Sequence, residues 1–531
     1  MFSQVLDPFN NIFLTGFVAL MPVILLLFLL AVFRMTAWLA TLIASIFTFG
    51  LALLWQVPLA NLALAYLYGS LTGLWAIDWI VFWGLMIFNV LVLTGKFDLF
   101  KRWLIAQATP DVRVQAILLA WSFGALLEGL VGFGYPWAVV APILISLGIV
   151  DIEALRVAAL ANNAPVSYGA LGVPIITLAA VTGLPLMAVS ASVGKIVALL
   201  ALFPPWLLIY LVSGKKGLRD GWPLAIVGSL GYILGQFPTS QWIGPYLPDI
   251  AGSLVSFVVI LIFLRFWKPK KVLGFGGKEV DVSNYKKETF SAKDVFIAFL
   301  PYIILMLVVV LGTGPWSPLP KLTFGVFSVK AISSITHKTY SVAFNFAPFV
   351  GGTFILISFI IIVLALLVKP KIIGQAFKQS FHQYWGGILT GIFILGLAYT
   401  YNYSGMASSL AYAFSKVGWA YILIAPLLGW IGVALSGSNT STNAMFGYFQ
   451  YQVGLLLGFP PLLLPSLNSV GAEIGKPVAP QTASAGVSTT KYVRKEGEII
   501  RHNMGWTLVT LLYLIIIGVI FLTLLPGLMK I

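Results

Sequence analysis

Apolar runs of roughly 18 or more residues recur along the whole chain, and each is long enough to cross a bilayer as a helix. Within lipid every backbone N–H and C=O must be satisfied inside its own segment, so long apolar runs mean helices. A membrane β-barrel would alternate apolar and polar positions, and stretches such as Ile24 to Leu30 do not alternate. Charged residues make up 9% of the chain, against about 25% in soluble domains. The expected fold is therefore an all-α polytopic membrane protein with about 12–14 transmembrane helices. Candidate segments lie near 11–32, 36–55, 76–93, 114–127, 154–168, 187–212, 222–238, 248–266, 293–311, 344–368, 384–402, 418–435 and 504–527.

Several function classes drop out. The first apolar run is too long for a signal-peptide core and has no basic segment before it, so it reads as the first spanning helix. The chain has no cysteine, which excludes disulfides and thiolate chemistry, and its three histidines, His337, His382 and His502, are scattered. No metal-ligand spacing and no phosphate-cradling glycine-lysine loop is present, so no metal, cofactor or ATP motor is expected, and no catalytic constellation suggests an enzyme. The formal charge of +15 does not point to nucleic acid. Lys and Arg sit in short loops between apolar runs, as the positive-inside rule expects.

Those loops set the expected orientation. Arg265 to Lys293 holds eight Lys/Arg against three acids and reads as cytoplasmic. Lys215, Lys216 and Arg219 mark a second inside loop, Lys96, Lys101, Arg102 and Arg113 a third, and Lys491, Arg494, Lys495 and Arg501 a fourth. Parity then places residues 313–343 and both termini outside.

The chain also reads as a duplication. Gly95 lies 33 residues before Glu128, and Gly405 lies 33 residues before Ser438. Gly172, Pro174 and Gly183 match Gly475, Pro477 and Gly486 at a constant spacing of 303. Residues 96–113 are basic, whereas their counterparts near 403–417 carry only Lys416, so the two copies should be inverted. Inverted repeats mark secondary transporters. The expected organisation is an N-terminal helix (1–35), a first repeat (36–212), connecting helices with a basic inner loop and an outer linker (213–343), and a second repeat (344–531).

Two stretches in each half depart from a plain spanning helix: Glu128–Pro136 and Asn162–Pro174, then Ser436–Asn443 and Asn468–Thr482. Broken backbone at membrane depth survives only when buried in protein or lining a water-filled cavity. Half-helix N-termini present the positive end of a dipole, which suits a carboxylate. The competing reading is tight helix packing through small residues. Charges inside these runs are functional candidates by default. Glu128 could carry a proton or sit in a structural ion pair. Lys476 could meet an anion directly or pair with Glu473, one turn earlier. Lys195 reads as a lysine reaching toward the interface, and Arg156, near Asp151 and Glu153, as a loop cap.

The strings Ser122–Gly134, Asn163–Pro174, Gly244–Asp249, Asn402–Gly405 and Ser436–Asn443, with Thr109-Pro-Asp111, resemble the lactate permease family, in order and from near residue 7 to the C-terminus. That resemblance implies a proton-linked permease for L-lactate, and in some members D-lactate and glycolate. It also implies kinship with transporters that use paired re-entrant hairpins and an elevator-like movement. Glu128, Asn163, Ser438, Thr440 and Lys476 match the family pattern. Asn439 departs from it, because many members carry Asp there, and Asn162 and Glu473 are peculiar to this chain. The expected function is proton symport of a small 2-hydroxymonocarboxylate across the cell membrane. Its alternative is a carrier of another small organic anion, with sodium coupling left open; a membrane enzyme or channel is a third class. The expected substrate-binding residues are Asn162, Asn163, Ser438, Asn439, Thr440, Asn468, Lys476 and Gln481. Glu128 and Glu473 are the expected proton-coupling acids.

Overall fold

The structure, a computed structural model, describes residues 2–132, 134–280, 288–488 and 490–531. A short strand β1 (Phe2–Ser3) precedes α1 (Ile12–Ala31) and α2 (Ala37–Ala52). The next segments are α3 (Leu59–Leu93) and α4 (Lys96–Gln107), then α5 (Val112–Leu130) and α6 (Tyr135–Ser146). The broken pair α7 (Asp151–Ala161) and α8 (Gly169–Thr182) leads into α9 (Leu186–Leu200), α10 (Pro204–Trp242), α11 (Pro248–Phe266) and α12 (Ala292–Thr313). Strands β2 (Phe324–Ile332) and β3 (Thr339–Phe346) follow. The second half runs α13 (Gly351–Ala365), α14 (Pro370–Ser404), α15 (Met406–Ser415), α16 (Tyr421–Ser436), α17 (Asn439–Leu457), α18 (Leu463–Gly475), α19 (Pro480–Val487) and α20 (Glu496–Thr523).

Ten helices among the described residues are long and apolar enough to span, or eleven with the pair bent by 67° at residues 162–165. The longest stretch, Leu186–Trp242, has 57 residues, far more than the roughly 20 that one crossing needs. Gly214, at φ 67° and ψ −170°, folds it into a hairpin. Ile209 packs beside Gly221, Ser229 Oγ donates to the Leu202 carbonyl, and Ser190 Oγ donates to the Ser240 carbonyl. Counting it as two crossings brings the total to the low end of the expected range.

The elements of the two halves correspond in order, α2 to α9 against α13 to α20. α3 and α14 are both 35 residues long, and each ends at a left-handed glycine, Gly95 or Gly405. They cross each other antiparallel. Gly69 meets the Leu395 backbone, Gly73 meets Gly391, and Asn89 Nδ2 donates to Ser380 Oγ at 2.8 Å. Small residues at such a crossing let the backbones approach, and a Cβ at Gly73 would lie 2.3 Å from the Gly391 carbonyl oxygen. Equivalent helices running in opposite directions are what an inverted duplication requires. The glycine spacing of 303 does not keep one role, however. Gly172 is left-handed and lies against the Pro245 carbonyl, whereas Gly475 ends a helix and lies against that of Trp430.

The fold is not wholly helical. β2 and β3 form an antiparallel hairpin, and β1 adds to β2 in parallel. The 313–343 linker contains most of it, where sequence reading expected only a loop. Its signal is the alternation across Phe324-Gly-Val-Phe-Ser-Val-Lys-Ala-Ile332, in which Lys330 is exposed and Val329 and Ala331 are buried. Gln4 ties the sheet to α14 through the Asn402 and Tyr403 carbonyls, and the Tyr403 hydroxyl donates to the Lys330 carbonyl.

The basic loops gather at the other end of the molecule. Arg113 contacts Asp220 and the Lys271 carbonyl, and Lys491 pairs with Asp151 at 3.1 Å. Tyr210, close to the Gly214 turn, packs against Trp506. One end is thus basic and the other carries the sheet, as the positive-inside reading expects. Ser283, within the longest basic loop, lies outside the described residues.

Candidate functional site

The four irregular stretches converge at the centre of the bundle. α5 carries a π-helical stretch, Ala116–Phe123, just before Glu128; such bulges recur at functional sites. The chain then turns through Gly132 and Gly134, both at positive φ, and α6 packs back against α5. In the second half Gly437, at φ 73°, makes the turn from α16 into α17. Only glycine takes these left-handed conformations without strain. The two turns lie against the second half's broken stretch: a Cβ at Gly134 would touch Thr482, and one at Gly437 would lie 2.8 Å from Gln481 Oε1. Phe133, in the first turn, lies outside the described residues.

The breaks follow from residue type. In the first half the chain leaves α7 at Asn162 and passes Pro165. Ala170, Leu171 and Gly172 then take left-handed conformations before the helix resumes. In the second half Pro477 and Pro480 interrupt the path between α18 and α19. Other glycines here serve packing, as the competing reading holds. Gly429 meets the Asn468 carbonyl, and Gly471 and Gly475 meet those of Pro426 and Trp430. The stretches thus combine broken backbone with close helix approach.

Two hydrogen-bonded clusters fill this centre. The first joins Lys476 and Glu128, with Nζ 2.5 Å from Oε1. Asn162 Nδ2 donates to the other carboxylate oxygen at 2.7 Å. Both charged side chains are buried, at 8% and 2% exposure. The expected alternative partner of Lys476, Glu473, faces elsewhere. A small cavity beside the pair is lined by Gly134, Trp137, Asn162, Lys476, Pro477 and Thr482.

The second cluster links the breaks of the two halves. Ser167 N donates to Glu473 Oε1 at 2.8 Å, and the Ser167 and Ser469 hydroxyls lie 2.9 Å apart. Asn439 Nδ2 donates to the Ser469 carbonyl, Asn443 Nδ2 donates to Ser469 Oγ, and Asn468 Nδ2 donates to Asn443 Oδ1. Asn162 Oδ1, Asn163 Oδ1, Asn439 Oδ1, Asn468 Oδ1 and Glu473 Oε2 are buried and have no hydrogen-bond partner among the described residues. Buried polar atoms are normally paired, so this concentration of unpaired acceptors sets the centre apart from the apolar packing around it.

The remaining expected residues divide. Asn163 is 1% exposed and belongs to the centre. Ser438 caps α17, accepting from Ser441 N at 3.1 Å. Thr440 is half-buried two residues further on, and Gln481 is exposed beside Gly437. Lys195 reaches the Leu528 carbonyl at 2.7 Å, and Arg156 pairs with Glu153 while contacting His502. Sequence reading passed over Asp78 and Asp249, which are 2% and 1% exposed. Each accepts from a tyrosine hydroxyl at 2.8 Å, Tyr384 for Asp78 and Tyr232 for Asp249. Their signal was present: both are acids within or at the start of long apolar segments.

The family model described as L-lactate permease matches residues 15–527. The glycolate permease GlcA of Escherichia coli K12 is 32% identical, over 98% of this chain and 97% of its own. The L-lactate permease of the same strain is 31% identical, over 98% and 97%, and that of Bacillus subtilis 168 is 31% identical, over 97% of both. A likeness that spans the chain, and includes the broken stretches and both hairpin turns, settles the class. The chain is a multi-pass membrane transporter, not an enzyme, and belongs to the L-lactate permease family.

Proposed function

We propose that this transporter takes up small 2-hydroxymonocarboxylates, L-lactate with D-lactate or glycolate as further substrates, by proton symport across the cell membrane. The observation that carries the reading is the buried Glu128–Lys476 pair, set where the hairpin turn of one half meets the broken helix of the other. Lys476 is the cation a carboxylate needs, and Glu128 already occupies it. A proton on Glu128 releases Lys476 to the incoming anion, so one proton and one anion enter together. The exchange replaces one neutral pair by another and leaves the net charge of the site unchanged. That matters because each uncompensated charge couples to the membrane potential at about 2.3 kcal/mol per 100 mV.

Asn162 and Asn163 from the first half, with Asn439, Asn468 and Thr440 from the second, complete the substrate-binding set. Ser438 holds the α17 N-terminus, and Gln481 borders the approach. Glu473, hydrogen-bonded to the other half's break, is the second coupling acid. The antiparallel α3–α14 crossing supplies a scaffold, and an elevator-like movement of the two hairpin regions against it gives alternating access. The repeats occupy 36–212 and 344–531, with 213–343 connecting them.

The test is uptake into proteoliposomes. An imposed pH gradient without sodium drives accumulation of labelled L-lactate, which unlabelled glycolate competes away. Accumulation that follows a sodium gradient and ignores the pH gradient would sink the proton reading in favour of a sodium-coupled anion carrier.

A further inference from the structure

Three carboxyl groups, not two, are buried around Lys476. The third is Asp249, in the first turn of α11 and 1% exposed. The Tyr232 hydroxyl, on the returning limb of α10, donates to Oδ1 at 2.8 Å, while Oδ2 has no hydrogen-bond partner among the described residues. Asp249 stands directly behind the first hairpin. A Cβ built at Gly129 would fall 2.7 Å from Asp249 Cβ, so the residue after Glu128 is a glycine because Asp249 takes the space.

The groups facing Asp249 are few. α10 contributes Tyr232 and α5 contributes Glu128; Glu473, Lys476 and Tyr168 act on it through space from the two broken stretches. The Ala116–Phe123 stretch of α5, which also packs on α11, carries no titratable side chain. Lys476 is the single cation of this set. Ionising Glu128, Glu473 and Asp249 together would leave two buried negative charges uncompensated, at several kcal/mol each. Protons are the compensation at hand. Asp249 differs from the other two acids in its support, because it belongs to the connecting helices rather than to either repeat.

We propose that Asp249 is a third proton-exchanging carboxyl of the transport cycle, beside Glu128 and Glu473, placed behind Glu128 and held by Tyr232. The step it adds is the association of one proton from the aqueous phase with a carboxylate oxygen; no other bond forms or breaks. This inference rests on the proton-symport reading above.

The experiment reconstitutes the wild-type chain, Asp249→Asn and Tyr232→Phe in proteoliposomes. It measures lactate accumulation under a pH gradient, lactate–lactate exchange at equal pH, and the pH profile of each. Asp249→Asn is expected to keep exchange while losing gradient-driven accumulation by about tenfold for each pH unit of the gradient, the factor that one coupled proton supplies. Tyr232→Phe is expected to keep accumulation with a displaced pH midpoint. Wild-type accumulation with an unchanged profile in Asp249→Asn overturns the assignment. If Asp249→Asn does not fold, an unchanged profile in Tyr232→Phe overturns it instead. A wild-type chain that shows no gradient-driven accumulation brings down the symport reading and this inference together. Accumulation in both wild type and Asp249→Asn brings down this inference alone.

Discussion

Lys476 and Glu128 lie 348 residues apart in the chain and 2.5 Å apart in space, joining the broken helix of one half to the hairpin of the other. The pair is therefore a link between the two halves as well as a charge device. A buried pair contributes little net stability by itself, but removing one partner strands the other at about 3–5 kcal/mol. Lys476→Ala is expected to lose substrate binding and to lower the thermal midpoint in detergent. Glu128→Gln is expected to abolish pH-driven uptake while retaining lactate exchange. Proton-driven accumulation that survives Glu128→Gln would move the coupling role to Glu473. The double variant Glu128→Leu with Lys476→Met should be more stable than either single variant and still inactive, because no buried charge is left alone.

The absence of cysteine from the chain makes topology directly measurable. A cysteine placed at Ser283 should label only from the cytoplasmic side. One at Thr336, exposed in the turn between β2 and β3, should label only from outside. Outside-only labelling at Ser283 would reverse the orientation drawn from the basic loops.

Much of the architecture was legible because it follows from the solvent. Apolar length gave the helices, and Gly and Pro at membrane depth marked the four irregular stretches. What escaped was long-range. Glu473 is the acid nearest to Lys476 along the chain, and the reading that paired them used only helical spacing. The actual partner arrives from the other half of the chain, which no local rule can supply. Asp78 and Asp249 were missed for a related reason. Each lies at an irregular point, a π-helical turn or a Pro-led helix start, and looks like an end when the sequence is scanned for runs. The β2–β3 hairpin was missed because hydropathy was read for length alone. Its alternation of Phe, Val and Ala with Ser and Lys has the period of a strand.

The α3–α14 crossing offers a test of packing against conformational freedom. A Cβ at Gly73 would lie 2.3 Å from the Gly391 carbonyl oxygen, whereas one at Gly124 meets nothing within 4 Å. Gly73→Ala should push the two long helices apart, at about 1–3 kcal/mol for overpacking of this kind. Gly124→Ala should be neutral or stabilising by up to about 1 kcal/mol, the usual gain of Ala over Gly inside a helix. Thermal midpoints of the two purified variants decide it, and equal midpoints would contradict the close approach.

At the basic end, Arg113 is fully buried and holds the longest basic loop against the bundle. Its guanidinium contacts Asp111 through both Nε and Nη2, at 2.9 and 2.7 Å. It also reaches Asp220, at 3.0 Å, and the carbonyls of Gly217 and Lys271. Asp111 in turn accepts from Leu273 N, so one arginine organises α5, the Gly214 hairpin and the loop together. Arg113→Ala would leave Asp111 as a buried carboxylate without its cation, a loss of about 3–5 kcal/mol. Arg113→Lys should not restore it, because a single ammonium cannot make the forked contact and reach two carbonyls as well. The loop carries eight Lys/Arg between Arg265 and Lys293, so trypsin reports its release. Both variants should be cut there faster than the wild type in inside-out vesicles. Cleavage of Arg113→Lys at the wild-type rate would show that charge alone, and not the forked geometry, holds the loop in place.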